Sequence, residues 1–288
     1  MPSKISRPYY QVDVFSSEPF MGNPLAVIAD ADDLSAEQMA RIARWTNLSE
    51  TTFLLKPTQE DADYRVRIFT PTGELPFAGH PTLGTAHVFR ELQGSGSAQL
   101  VQECAAGLVS VKADDEQASG ADSELASELA FQAPPTIKDG PLEAAELEEI
   151  CAALGISSEL IQAHQWVDNG PGWAAVELPS AQQVLDLQPD FNAHPTLKLG
   201  VVGAYPEGSP HAFEVRAFAP GIGEDPVTGS LNASIAQWLH RDGRAGEGYL
   251  ASQGTAIGRA GEIRINVESD VIWVGGSVTT IFQGIAEF

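Results

Sequence analysis

The 288-residue sequence predicts an α+β protein of two similar domains, each a set of strands wrapped around one buried helix. Three observations predict it. Many short segments alternate apolar and polar residues, as half-buried strands do. Two helical segments, Pro81 to Leu92 and Ser230 to His240, are apolar most of the way round, so each belongs inside a core. Finally, the chain repeats itself. Val66-Arg67-Ile68-Phe69-Thr70-Pro71 recurs as Val215-Arg216-Ala217-Phe218-Ala219-Pro220, and Gly73-Glu74-Leu75-Pro76 recurs, after a one-residue gap, as Gly223-Glu224-Asp225-Pro226. With Gly79 matching Gly229 and Ala86 matching Ala236, nine identities fall between Val66 and Ala86. Both copies read strand, turn, glycine, buried helix, which is the pattern of a duplicated domain.

The individual elements follow from local chemistry. Tyr10 to Phe15, Leu25 to Ala29, Tyr64 to Phe69, Leu108 to Lys112, Trp173 to Leu178, Phe213 to Phe218, Glu262 to Val267 and Val271 to Gly275 read as strands. Gly22-Asn23-Pro24, Pro71-Thr72-Gly73, Asn169-Gly170-Pro171-Gly172 and Asp242-Gly243 supply the turns between them. Ser35 and Gln38 stand in capping-box spacing, which predicts a helix to Trp45 with Met39, Ile42 and Ala43 on its apolar face. Leu142 to Leu154 predicts a fourth helix, acidic on one side and ended by Gly155. The domains are placed at residues 1–133 and 134–276, joined near Pro134-Pro135, with the final strand, about 277–288, able to return to the first domain.

Charge narrows the function classes. There are 39 acidic residues against 16 Lys and Arg, a formal net charge of −23. Such a chain has little with which to build the basic face that nucleic acid or an anionic membrane needs. Eleven acids and one base, Lys138, lie between Asp114 and Glu149, which reads as a solvated loop and helix face. Cys104 and Cys151 have no CxxC or Cys/His zinc spacing, and His80 and His87 lack a third ligand. Met1 runs into polar residues with no leader, and no stretch approaches ~18 apolar residues. The expectation is a soluble cytoplasmic protein with reduced thiols.

The repeat carries the chemistry. Each copy brings a glycine, Gly79 or Gly229, to a helix start, where free N–H groups and the helix dipole favour an anion. Two such ends facing across a domain cleft would hold a carboxylate locally despite the overall charge. Glu74 and Glu224 occur in both copies and are read as framework. Leu75 against Asp225, and His80 against Ser230, break the symmetry, as a directed reaction requires. Asp225 and His80 also fit the plainer role of helix caps beside Pro226 and Pro81. Glu50 enters an apolar strand, and a carboxyl buried there suits general acid–base work, although local hydrogen bonding would also explain it.

Gly22-Asn23-Pro24-Leu25-Ala26-Val27, Asn47-Leu48-Ser49-Glu50-Thr51, Phe69-Thr70-Pro71, Gly79-His80-Pro81-Thr82 and Gly223-Glu224-Asp225-Pro226-Val227-Thr228-Gly229-Ser230 together resemble the PhzF-like phenazine-biosynthesis family. The resemblance implies the diaminopimelate-epimerase-like fold: two pseudo-symmetric domains, each a mostly antiparallel rolled sheet or barrel around a central helix. It implies an isomerase that uses no cofactor, works commonly as a homodimer, and acts on a small carboxylic acid such as trans-2,3-dihydro-3-hydroxyanthranilate. By that similarity Glu50 is the proton-shuttling carboxylate, His80 and Asp225 assist transfer, and Gly79, Gly229 and Ser230 hold the substrate carboxylate. Related epimerases use two thiols, which would fall near Ala78 and Thr228; neither is cysteine, so two-thiol racemisation is disfavoured. A binding protein of the same fold without turnover is the alternative. A serine hydrolase lacks support, because no Gly-x-Ser-x-Gly elbow is present.

Overall fold

The structure is a computed structural model, described for residues 5–94, 97–113, 126–191, 194, 196–220 and 223–288. The early part of the acidic run, 114–125, lies outside the described residues. The chain divides into two compact units, one of residues 1–132 with 275–288 and one of residues 133–274.

In the first unit the strands are β1 (Ser6–Val14), β2 (Asn23–Ile28), β3 (Glu50–Leu55), β4 (Tyr64–Phe69), the short β5 (Glu74–Leu75), β6 (Gln99–Cys104), β7 (Gly107–Ala113) and β8 (Ala126–Gln132). Its helices are α1 (Ala36–Thr46) and α2 (Gly79–Gln93). The order β1-β2-β3-β4-β6-β7-β8-β16 returns to β1 through the last strand, β16 (Val271–Glu287), so eight strands close a barrel. Pairing is parallel at β2–β3 and β4–β6. It is antiparallel at β1–β2, β3–β4, β6–β7, β7–β8 and β16–β1.

The all-round apolar character of α2 has its explanation here. Gly79 through Val88 are all buried, and the helix packs against β1, β2, β3, β4, β6 and β8. Gly84 is required on this helix, because a Cβ there would stand 2.5 Å from Leu25 Cδ2. The opposite face of β2–β3–β4 is covered by α1 through Met39 and Ala43 against Ile28, Phe53 and Phe69. Two covers leave no wet side, which is why β3 is buried at every position. The α1 start carries the complete capping box of Ser35 and Gln38.

The second unit contains α3 (Ala144–Leu154), β9 (Ala163–Trp166), β10 (Ala174–Leu178), α4 (Ala181–Leu185), β11 (Leu199–Ala204), β12 (Phe213–Ala219), β13 (Gly223–Asp225), α5 (Gly229–Arg241), β14 (Gly248–Gln253) and β15 (Gly261–Glu268). Its order is β9-β10-β11-β12-β14-β15, again parallel at the second and fourth pairings. Among the described residues no pairing closes this sheet into a ring. Helices α3 and α4 cover β10, β11 and β12 through Ile150, Leu154 and Val184 against Val176, Val201 and Phe218. Like α2, α5 is buried along nearly its whole length.

The sequence repeat is a structural repeat. β4, β5 and α2 recur as β12, β13 and α5. In each copy an arginine makes a bidentate pair with the shared glutamate: Arg67 with Glu74 (2.7 and 2.7 Å) and Arg216 with Glu224 (2.9 and 2.7 Å). Each guanidinium also lies over the phenylalanine two residues on, Phe69 or Phe218. Glu74 and Glu224 are thus engaged in framework.

Candidate active site

In the first unit, three segments bring polar side chains to the start of α2. Glu50 is the first residue of β3 and is 7 % exposed; Asn23 opens the neighbouring β2 and is fully buried. Ala78 is the extended N-cap of α2, so Gly79 and His80 are the first two helical residues. Their N–H groups have no intrahelical carbonyl to bind, and Pro81 has no N–H to leave unsatisfied. His80 Nε2 lies 3.3 Å from Glu50 Oε2, and His80 Nδ1 lies 3.3 Å from Asn23 Nδ2. Burial pushes the His80 pKa down to about 3, so the ring is neutral at ordinary pH although a carboxylate adjoins it.

In the second unit, the polar groups gather at the start of α5. Asp225 ends β13 and Thr228 is the N-cap. The Thr228 hydroxyl donates to Asp225 Oδ2 and accepts from Gln253 Nε2 at 2.9 Å. Gln253, fully buried on β14, also donates to the Asp225 carbonyl (3.1 Å) and accepts from the Thr228 N–H (3.0 Å) and Asn232 Nδ2 (2.9 Å). Trp173 Nε1 donates to Ser230 Oγ (3.1 Å), which leaves the serine proton for an acceptor elsewhere. Asn169 Nδ2 holds the Ser230 carbonyl at 3.1 Å.

The first unit therefore gathers Glu50, His80 and Gly79, and the second gathers Asp225, Gly229 and Ser230. Neither Asp225 nor His80 is a helix cap: the caps are Thr228 and Ala78, and both side chains meet other groups instead. His87 bonds Ser127 (2.7 Å) and Thr280 (2.9 Å) and lies 3.0 Å from Glu91. Among the described residues no group of three or more His, Cys, Asp or Glu is arranged to hold a metal. Asn23, Trp173, Asn169 and Gln253 join the site only in the folded chain. Asn23 lies within the Gly22–Val27 motif; Gln253 lies in a segment with no alternation and no motif, and carries no signal in the sequence.

The family model of phenazine biosynthesis-like proteins matches residues 12–284. Antisense-enhancing sequence 1 of Schizosaccharomyces pombe is 37 % identical, the alignment covering 96 % of this chain and 97 % of that one. The trans-2,3-dihydro-3-hydroxyanthranilate isomerase of Pseudomonas aeruginosa is 36 % identical over 90 % of each chain. Among solved structures, a phenazine biosynthesis protein of the PhzF family from Enterococcus faecalis superposes with a TM-score of 0.76 at 29 % identity, over 98 % of this chain and 99 % of that one. A hydroxyproline epimerase from Agrobacterium vitis, with a TM-score of 0.60 at 12 % identity over 98 % of this chain and 93 % of that one, shares the fold. A duplicated strand–glycine–helix module, a closed eight-stranded barrel around a buried helix and a match spanning nearly the whole chain agree: this chain belongs to the phenazine biosynthesis-like (PhzC/PhzF) family and is an isomerase of the diaminopimelate-epimerase-like fold.

Proposed function

We propose that the chain isomerises a small cyclic carboxylic acid by moving a proton between two of its carbons, with Glu50 as the carrier. The observation that carries this reading is the buried Glu50 carboxylate set 3.3 Å from a neutral His80 at a helix start. Glu50 takes a proton from one carbon and becomes a neutral acid. The electron pair left behind shifts the double bond, and Glu50 returns the proton to a different carbon of the same skeleton. Nothing is gained or lost by the molecule as a whole. The first-turn N–H groups of α2 and α5 and the hydroxyl proton of Ser230 are suited to a substrate carboxylate. On the family resemblance Asp225, which accepts from the Thr228 hydroxyl, is read as assisting the transfer.

The relative named for trans-2,3-dihydro-3-hydroxyanthranilate supports that compound as the first substrate to try. It should be followed by proton NMR in deuterated buffer, with wild type and Glu50→Gln side by side. The expected result is conversion with deuterium uptake at carbon in wild type and a rate about 10²–10⁴-fold lower in the variant. Full turnover by Glu50→Gln would remove Glu50 from the mechanism. Saturable binding of the acid with no exchange at any carbon would favour a protein that only binds. We further read the protein as cytoplasmic, on its sparse and unpaired cysteines, and as a homodimer, on the family resemblance. Light scattering should give a mass near twice the 30.6 kDa of one chain, and a monomer at micromolar concentration refutes the dimer.

A further inference from the structure

We infer that Asn23 sets the tautomer of His80, keeping Nε2 protonated toward Glu50 and Nδ1 bare. Asn23 is thereby a positioning residue that acts through the histidine. The inference rests on reading Glu50 and His80 as the proton-handling pair, but its principal test does not require turnover.

A neutral imidazole has one donor nitrogen and one acceptor nitrogen. His80 Nδ1 faces the Asn23 amide nitrogen at 3.3 Å. An amide nitrogen only donates, so Nδ1 must accept, and the ring proton resides on Nε2. Nε2 in turn faces a carboxylate oxygen, Glu50 Oε2, at 3.3 Å. The other tautomer would oppose two N–H groups at Nδ1 and two lone pairs at Nε2. With both partners nearly inaccessible to water, each mismatch would cost the desolvation of an unmet polar group, about 1–3 kcal/mol. The ring stays neutral because burial holds its pKa near 3, so protonation does not dissolve the choice at ordinary pH.

The backbone that carries the amide is firmly held. Asn23 opens β2 opposite Val14 of β1. The preceding Gly22 donates its N–H to Asp13 Oδ2 at 3.0 Å. Gly22 tolerates no side chain, since a Cβ would stand 2.3 Å from the Val14 carbonyl oxygen. Asp13, Gly22 and Asn23 thus form a rigid bracket behind the histidine. The consequence for the reaction is that His80 turns a neutral N–H toward the Glu50 carboxylate 3.3 Å away and does not itself gain a charge.

The test is a long-range ¹H–¹⁵N correlation spectrum of protein labelled with ¹⁵N-histidine, at neutral pH. The His80 signals are identified by their loss in His80→Asn. Wild type is expected to show a protonated Nε2 and a bare Nδ1. Asn23→Asp places an acceptor at Nδ1, so the proton should appear on Nδ1 or on both nitrogens; Asn23→Ala removes only the mismatch at Nδ1, so Nε2 stays the major site while the Nδ1-protonated fraction should rise above that of wild type. An Nδ1 proton in wild type, or an unchanged His80 spectrum in Asn23→Asp, overturns the inference. Should Asn23→Asp fail to fold, an Nδ1-protonated fraction in Asn23→Ala no larger than in wild type overturns it equally. Where turnover is measurable, Asn23→Asp should lower kcat about 10-fold or more with KM little changed, as a wrong tautomer does. Wild type without turnover counts against the proposed reaction, while the spectrum still decides the role of Asn23.

Discussion

The two copies of the repeat share a frame and differ in chemistry. Both have the arginine–glutamate pair, the guanidinium over a phenylalanine, and a helix whose fourth residue bonds back to its cap, Thr82 to Ala78 and Asn232 to Thr228. Both also tie that fourth residue to a glutamine on the parallel strand beside it, Gln102 or Gln253. The copies part at the helix start. The first meets a titratable pair, Glu50 and His80; the second meets hydroxyls, amides and one carboxylate, Asp225. The sheet register sharpens the contrast. Thr51 lies opposite Phe69, and Leu199 lies opposite Phe218. The residue before each is Glu50 in one copy and Lys198 in the other, whose ammonium is bound by the Pro171 carbonyl at 2.6 Å. A duplicated frame has thus kept its structural pairs and set a buried carboxylate beside a histidine in the first half, where the second has a lysine and a serine.

The largest expected effect breaks that asymmetry. If proton transfer belongs to the first copy alone, Glu50→Gln loses about 10²–10⁴-fold in turnover, whereas Lys198→Gln loses less than about 10-fold in the same assay. Comparable losses would mean that both copies handle the proton.

The shared ion pairs should differ in worth because they differ in burial. Arg216 and Glu224 are 5 % and 12 % exposed, and Arg216 also donates to the Val184 and Leu187 carbonyls. Arg67 and Glu74 are 29 % and 36 % exposed. Removing one member of a buried pair leaves its partner and two carbonyls unmet. Arg216→Ala should therefore cost about 3–5 kcal/mol in urea unfolding, and Arg67→Ala about 1 kcal/mol or less. Equal costs would contradict this account of the frame.

The pH dependence separates the copies as well. The folded pKa of His80 lies below its unfolded value, near 6.5, so between about pH 3 and 6.5 the unfolded chain binds the extra proton. This contribution to stability therefore rises with pH across that window and is lost as pH falls through it. His80→Asn should flatten the wild-type slope between pH 4 and 6.5, whereas Ser230→Ala should leave it in place. Parallel slopes for wild type and His80→Asn would show the ring to be charged in the fold.

A smaller contrast lies one turn along each helix. Gly84 is pressed by Leu25 and Val12, so Gly84→Ala should overpack the barrel by about 1–3 kcal/mol. The corresponding Ser234 of the second copy is buried, and among the described residues its hydroxyl has no hydrogen-bond partner. Ser234→Ala should be neutral or stabilise by about 1 kcal/mol. Thermal unfolding of the two variants checks both signs.

Much of the frame was legible before folding. The Ser35–Gln38 box, the repeat and the two all-round apolar helices predict the duplicated architecture, because capping and periodicity depend on neighbours in sequence. Strands β11 and β14 were not legible. Alternation needs one dry face and one wet face, and β11 is covered on both, with Gly200 pressed by Leu231 and Gly203 by Ser180. Glu50, His80, Asp225 and Ser230 stood out through motif and asymmetry. Asn23 and Gln253 did not, since an uncharged amide announces nothing until its partner is known.

The sequence by itself placed four of the helices to within about two residues of their starts, missed α4, and indicated that the domain is doubled and which helix starts carry unlike residues, all through local contacts within a few positions. Only the tertiary structure decided that β16 closes the barrel, that the amide of β2 meets the Nδ1 of His80, and that Gln253 governs Thr228 and Asp225. Those contacts join residues 23 and 80, 225 and 253, or the two ends of the chain, and sheet pairing creates them without leaving a period or spacing to read.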